Sequence, residues 1–105
     1  MTEVANITLD TILTKLRELA PAIKAEGATR LAVFGSWARG DARPDSDLDL
    51  LIETFDRPDS TRQFDWSNVM NMIEDSVGIW PHLMYPTELT PRIRERMADD
   101  LIEVF

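Results

Sequence analysis

Apolar residues recur along the chain with two different periods, and the changes of period divide it into elements. Leu9, Ile12, Leu16, Leu19 and Ile23 stand three or four apart, which places them on one stripe of an amphipathic helix predicted from Ile7 to Glu26. Gly27 is its expected stop. The run Leu31-Ala32-Val33-Phe34, ended by Gly35, is too short for a helix and reads as a buried strand. Ser36 to Ser46, with two arginines, Gly40 and Pro44, reads as a loop with a helical turn at its start. A second strand is predicted over Asp47–Glu53, and its period of two sets Asp47 and Asp49 on one face with Leu48, Leu50 and Ile52 turned the other way. Pro58-Asp59-Ser60-Thr61 supplies turn and cap chemistry ahead of a helix carrying Trp66, Val69, Ile73 and Val77 and ending at Gly78. Ile79–Tyr85 has strand composition, with Pro81 confining it to an edge or a bulge. Thr90-Pro91 opens a final helix whose stripe is Leu89, Ile93, Met97 and Leu101. The order is α-β-β-α-β-α, that of an α+β fold, and no repeat or linker interrupts it.

Length and composition narrow the class. A chain of 105 residues holds one core, so residues 1–105 are read as one domain. Hydrophobic and charged shares of 44% and 29% are globular values that fit neither disorder nor a membrane protein. With 11 Lys+Arg against 19 Asp+Glu the net charge is −8, which excludes the basic footprint that holds duplex DNA by its phosphates. The absence of cysteine, and an N-terminus without a basic region followed by an apolar one, favour the cytoplasm.

The chemistry concentrates around the second strand. Carboxylates at positions 47 and 49 on one strand face repel each other, and one pKa must rise unless a cation compensates. Hard divalent cations such as Mg2+ take oxygen ligands and are commonly held by one or two carboxylates plus substrate phosphates. Gly35 allows close backbone approach, and Ser36 offers a hydroxyl and an N–H to a phosphate oxygen. A phosphate turn is therefore expected to face a metal clamp across two adjacent strands.

Gly35-Ser36-Trp37-Ala38-Arg39-Gly40 and Ser46-Asp47-Leu48-Asp49-Leu50-Leu51 together resemble the DNA polymerase beta-like nucleotidyltransferase superfamily, in its minimal nucleotidyltransferase (MNT) branch. The resemblance implies a small single domain on a mixed sheet flanked by helices. It also implies transfer of AMP from ATP, with Mg2+, onto a hydroxyl of a HEPN-type ribonuclease toxin for which this chain is the antitoxin. Residue by residue, Gly35 and Ser36 match the nucleotide-phosphate turn, and Asp47 and Asp49 match the first two metal-binding carboxylates. Arg39 matches a recurrent position, where it either offsets phosphate charge or pins the loop by pairing with an aspartate. The family's third carboxylate falls at His82, in Pro81-His82-Leu83-Met84. An imidazole suits a base or a Mn2+ ligand better than a Mg2+ ligand.

Two functions follow from that departure. One is an adenylyltransferase with Asp47 and Asp49 on metal, Ser36 on phosphate and His82 as an altered third site. The other is a binding module that keeps the fold and neutralises a toxin by contact. In either case no second domain grips the base or acceptor, so a partner chain or a homodimer has to complete the site. The indoles of Trp37, Trp66 and Trp80 are expected mainly in the core, the final helix is expected to close it, and the acidic surface suits a basic partner.

Overall fold

The computed structural model describes residues 8–43, 45–54 and 65–105. The elements are α1 (Leu9–Ala25), β1 (Ala28–Phe34), α2 (Ser36–Arg39), β2 (Leu48–Thr54), α3 (Trp66–Val77), β3 (Pro81–Met84), a 3-10 turn (Pro86–Glu88), α4 (Pro91–Ala98) and β4 (Ile102–Glu103). The strands form one mixed sheet in the order β3-β2-β1-β4. β1 runs antiparallel to β2 and β4, and β2 runs parallel to β3. Among the described residues no helix is long and apolar enough to cross a membrane. The expected helix start at Ile7, Pro44, and the turn at Pro58-Asp59-Ser60-Thr61 lie outside the described residues.

The helical stripes bury as their spacing requires. Thr8 caps α1 by accepting from the Thr11 N–H at 3.2 Å, and Ile12, Leu16 and Ile23 are fully buried beneath it. Asp65 caps α3 by accepting from the Asn68 N–H at 3.0 Å, and Val69, Ile73 and Val77 face inward. Both helices cover the sheet face made by Leu31, Val33, Leu48, Leu50 and Ile52. The opposite face, carrying Ala32, Phe34 and Leu51, is covered by Leu89 and by Met97 of α4. Strand alternation therefore turns Asp49, which lies between Leu48 and Leu50, toward the α4 side.

Four expectations change. β1 begins at Ala28 instead of Leu31, because polar Arg30 is used across strands: it pairs with Glu53 on β2 at 3.0 Å and with Glu103 on β4. The final helix stops at Ala98, and the chain turns back so that Ile102 and Glu103 pair with Val33 and Ala32, adding a strand the apolar pattern did not mark. α4 closes the core only through Met97; Ile93 of its stripe is 43% exposed. Trp37 is buried and Trp66 stacks edge-on against Tyr85 at 5.0 Å, but Trp80 is 45% exposed because Pro81 takes the inward position beside it. Pro81 does lie on an edge strand, where its missing N–H breaks no ladder bond to an outer neighbour.

Leu50 is fully buried at the centre of the larger cluster. Leu50→Ala is expected to destabilise the fold by roughly 2–5 kcal/mol in urea unfolding; a loss below about 1 kcal/mol would contradict this packing.

Candidate functional site

The antiparallel register sets the site. Phe34, the last residue of β1, pairs with Asp49, and on the other flank Asp49 pairs with His82 of β3. Asp49 thus stands at the middle of three strands, one residue across from the turn that leaves β1. Gly35 makes that turn at φ +77°, ψ −153°, a conformation reached almost only by glycine. A Cβ at this position would collide with Asp49 Oδ2 and crowd the rest of its carboxyl. Backbone and carboxylate are therefore in direct contact here.

Ser36 opens the single turn of α2, whose first N–H groups have no acceptor within the helix. Gly40 ends it at φ +86°, and its N–H returns to the Ser36 carbonyl at 3.0 Å. The indole of Trp37 donates to the Ser46 carbonyl at 3.3 Å, and Ser46 Oγ accepts from the Arg43 N–H at 2.9 Å. These bonds fix the loop against the residues that enter β2.

Asp49 is half-buried, and its carboxyl is pushed above its ordinary pKa chiefly by burial and further by the charge of Asp47. His82 and Arg39 oppose that rise. His82 Nδ1 lies 3.5 Å from Asp49 Oδ1, with both side chains reachable by solvent. Asp47 is exposed and precedes β2 instead of beginning it. Arg39 Nε lies 3.3 Å from Asp41 Oδ2, and its Nη1 lies 3.7 Å from Asp100 Oδ2. Of the two roles weighed for Arg39, pairing with aspartates is the one this geometry contains.

A cleft of about 430 Å³ opens on the α4 side of Asp49, within the size range of small-molecule sites. One wall is Phe34, Gly35, Ser36, Arg39 and Asp49. The other is the α4 face of Ile93, Arg96 and Met97, continued by Asp100. Four of the sequence-predicted residues thus share one concavity, whereas Asp47 and His82 do not line it. The α4 wall was missed by sequence reasoning. Its three- and four-residue spacing was visible, but an Ile and an Arg at such intervals read equally well as a core stripe edge and a solvated face.

Among the described residues no three His, Asp or Glu side chains converge into a ready-made metal cage. The donor set fits a different arrangement. Asp47 and Asp49 can hold a hard divalent cation if phosphate oxygens complete its shell, and a cation there relieves the strain on a carboxylate whose charged form is disfavoured.

The model of the family described as "Nucleotidyltransferase domain" matches residues 9–102. The chain is 32% identical over 75 residues to "Putative protein adenylyltransferase MJ0128" of Methanocaldococcus jannaschii, covering 70% of this chain and 74% of that protein. It is 25% identical over 88 residues to a second protein of that organism, "Putative protein adenylyltransferase MJ0435", covering 84% and 91%. A solved structure described as a "putative minimal nucleotidyltransferase" superimposes with a TM-score of 0.71 at 32% identity, covering 90% of this chain and 94% of that one. A toxin-antitoxin crystal structure with AMP-PNP gives a TM-score of 0.63 over 89% of this chain and 72% of that one, and at 13% identity the likeness is one of fold.

Two substitutions probe the contact at the centre of the site. Gly35→Ala is expected to cost roughly 1–3 kcal/mol from backbone strain alone and to displace the Asp49 carboxyl, measured by thermal unfolding and by the chemical shifts of residue 49. Asp49→Asn is expected to raise the melting temperature in metal-free buffer at pH 7. A carboxyl whose folded pKa lies above its ordinary 3.8 lowers stability as pH rises through that range, so the gain should vanish on acidification below 3.8. A gain that persists unchanged at pH 3 would contradict the charge origin.

Proposed function

The chain belongs to the nucleotidyltransferase domain family, and from that premise we propose that it transfers AMP from ATP to a protein hydroxyl, as the antitoxin of a HEPN/MNT toxin-antitoxin pair. The observation that carries the proposal is the shared cleft in which the Gly35–Ser36 turn faces the Asp49 carboxylate. In it, Ser36 binds a phosphate oxygen through its hydroxyl and backbone N–H, and Gly35 lets the phosphate approach the main chain. Asp49, with Asp47 just outside the cleft, would hold Mg2+ or Mn2+. When bound, the metal supplies neutralisation of the phosphate charge and of the oxygens that attack and depart.

The transfer balances with these groups. The acceptor oxygen forms a bond to the α-phosphorus, the bond from that phosphorus to the bridging oxygen breaks, and pyrophosphate leaves with the electron pair. The hydroxyl proton passes to His82 Nε2, while the Asp49 carboxylate beside Nδ1 fixes the tautomer that leaves Nε2 free to accept it. The names of the M. jannaschii relatives favour a protein acceptor, the fold shared with a toxin-antitoxin complex favours a toxin partner, and a net charge of −8 suits a basic one. The partner chain, or a second copy, completes the grip on base and acceptor.

One observation favours a second function. His82 stands beside Asp49 where the resemblance expects a carboxylate, and a protein that has lost this ligand can still neutralise a toxin by binding it.

Intact-mass spectrometry of the co-purified partner, or of a candidate HEPN toxin incubated with ATP and Mg2+ or Mn2+, separates the two. The native protein is expected to add mass in AMP units, with Asp47→Asn and Asp49→Asn slowing the addition by roughly a hundredfold or more. Addition by His82→Asp alone assigns contact neutralisation to the native chain. No addition by either the native chain or His82→Asp, together with no stable complex, overturns both.

A further inference from the structure

The two arginines that line the cleft are in different states. Arg39 is engaged by Asp41 and Asp100 at 3.3 and 3.7 Å. Arg96 makes no ion pair and no side-chain hydrogen bond among the described residues, although it shares the cleft with Ser36 and Asp49. Its helix neighbours differ from it. Arg94 donates to the Pro86 carbonyl at 2.7 and 3.2 Å, and Arg92 lies outside the cleft. Arg96 is thus the guanidinium of this concavity that no carboxylate has already neutralised.

The electrostatics make that difference matter. The chain carries −8 overall, and the cleft is walled by Asp49 on one side and Asp100 on the other. A triphosphate entering it brings several more negative charges. A cation on Asp47 and Asp49 offsets charge at one end of the cleft, and Arg39 is shared with two aspartates. The rest of the polyphosphate needs a partner on the facing wall, and α4 supplies an arginine there.

We infer that Arg96 binds the β- and γ-phosphates of the nucleoside triphosphate from the α4 wall, opposite Gly35–Ser36. The inference rests on the proposed nucleotide reading of the cleft and deepens it. The planar guanidinium takes two phosphate oxygens at once. When the bond between the α-phosphorus and the bridging oxygen breaks, the electron pair stays on that oxygen, and the growing charge of pyrophosphate develops beside Arg96. The α4 wall thereby favours triphosphates over monophosphates.

Calorimetric titration of the full chain with ATP and with AMP, both in Mg2+, tests this. Arg96→Gln is expected to weaken ATP binding roughly 10- to 100-fold and to leave AMP binding within about threefold. Arg96→Lys should recover part of the loss, and Arg92→Gln, which removes the same charge from the same helix outside the cleft, should bind ATP as the native chain does. Unchanged melting temperatures would exclude a folding defect. ATP binding unaltered in Arg96→Gln, or lost equally in Arg92→Gln, overturns the role of Arg96 and leaves the nucleotide reading standing. A native chain that binds no ATP in Mg2+ overturns that reading and the inference with it.

Discussion

The contact between the Gly35 backbone and the Asp49 carboxyl is the constraint on which the site depends. It exists because β1 and β2 pair antiparallel with Phe34 opposite Asp49, so the residue after Phe34 has to turn away directly beside an acidic side chain. Only a glycine meets both demands, a backbone at φ +77° and no Cβ between main chain and carboxylate. A slip of one residue in that register would turn Asp49 toward α1 and α3 and send Leu48, Leu50 and Ile52 to the cleft face. The deep burial of those three side chains under α1 and α3 therefore also holds the carboxylate in place.

The chain solves a charge problem within this frame. A strongly acidic protein whose proposed ligand is a polyphosphate cannot rely on its overall field, which repels the ligand. It has to supply attraction locally. Asp49 is kept half-buried with a raised pKa, a state that favours either a proton or a cation, and the opposite wall carries Arg96. Arg39, between Asp41 and Asp100, links the loop after α2 to the segment that follows α4. On the far flank of Asp49 stand His82 of the edge strand and, just before that strand, exposed Trp80.

Much of this was legible in the sequence, for identifiable reasons. The stripes of α1 and α3 were read because each buries a regular apolar face against one side of the sheet. The Gly35-Ser36 turn and the outward face of Asp49 were legible because local geometry alone, a strand end and a period of two, fixes them, whereas Asp47 precedes β2 and escapes that period. What escaped depends on tertiary placement. β4 is two residues long and is held by the cross-strand Arg30–Glu103 pair and by backbone bonds from Leu31 to Val104 and Phe105, none of which leaves an apolar period. The α4 wall escaped because Ile93 and Arg96 acquire meaning only when the helix is laid across the second face of the sheet. Trp80 was placed inside by its size, whereas alternation along β3 gives the inward position to Pro81.

The central claim, that a metal on Asp47 and Asp49 and a nucleotide phosphate on Gly35–Ser36 occupy one site together, is tested most directly by crystals grown with AMP-PNP and Mn2+. The account predicts an anomalous manganese peak touching both carboxylates and a phosphate oxygen, with the phosphates against the Ser36 N–H. Nucleotide bound away from the cleft, or manganese bound without contact to either carboxylate, would contradict it.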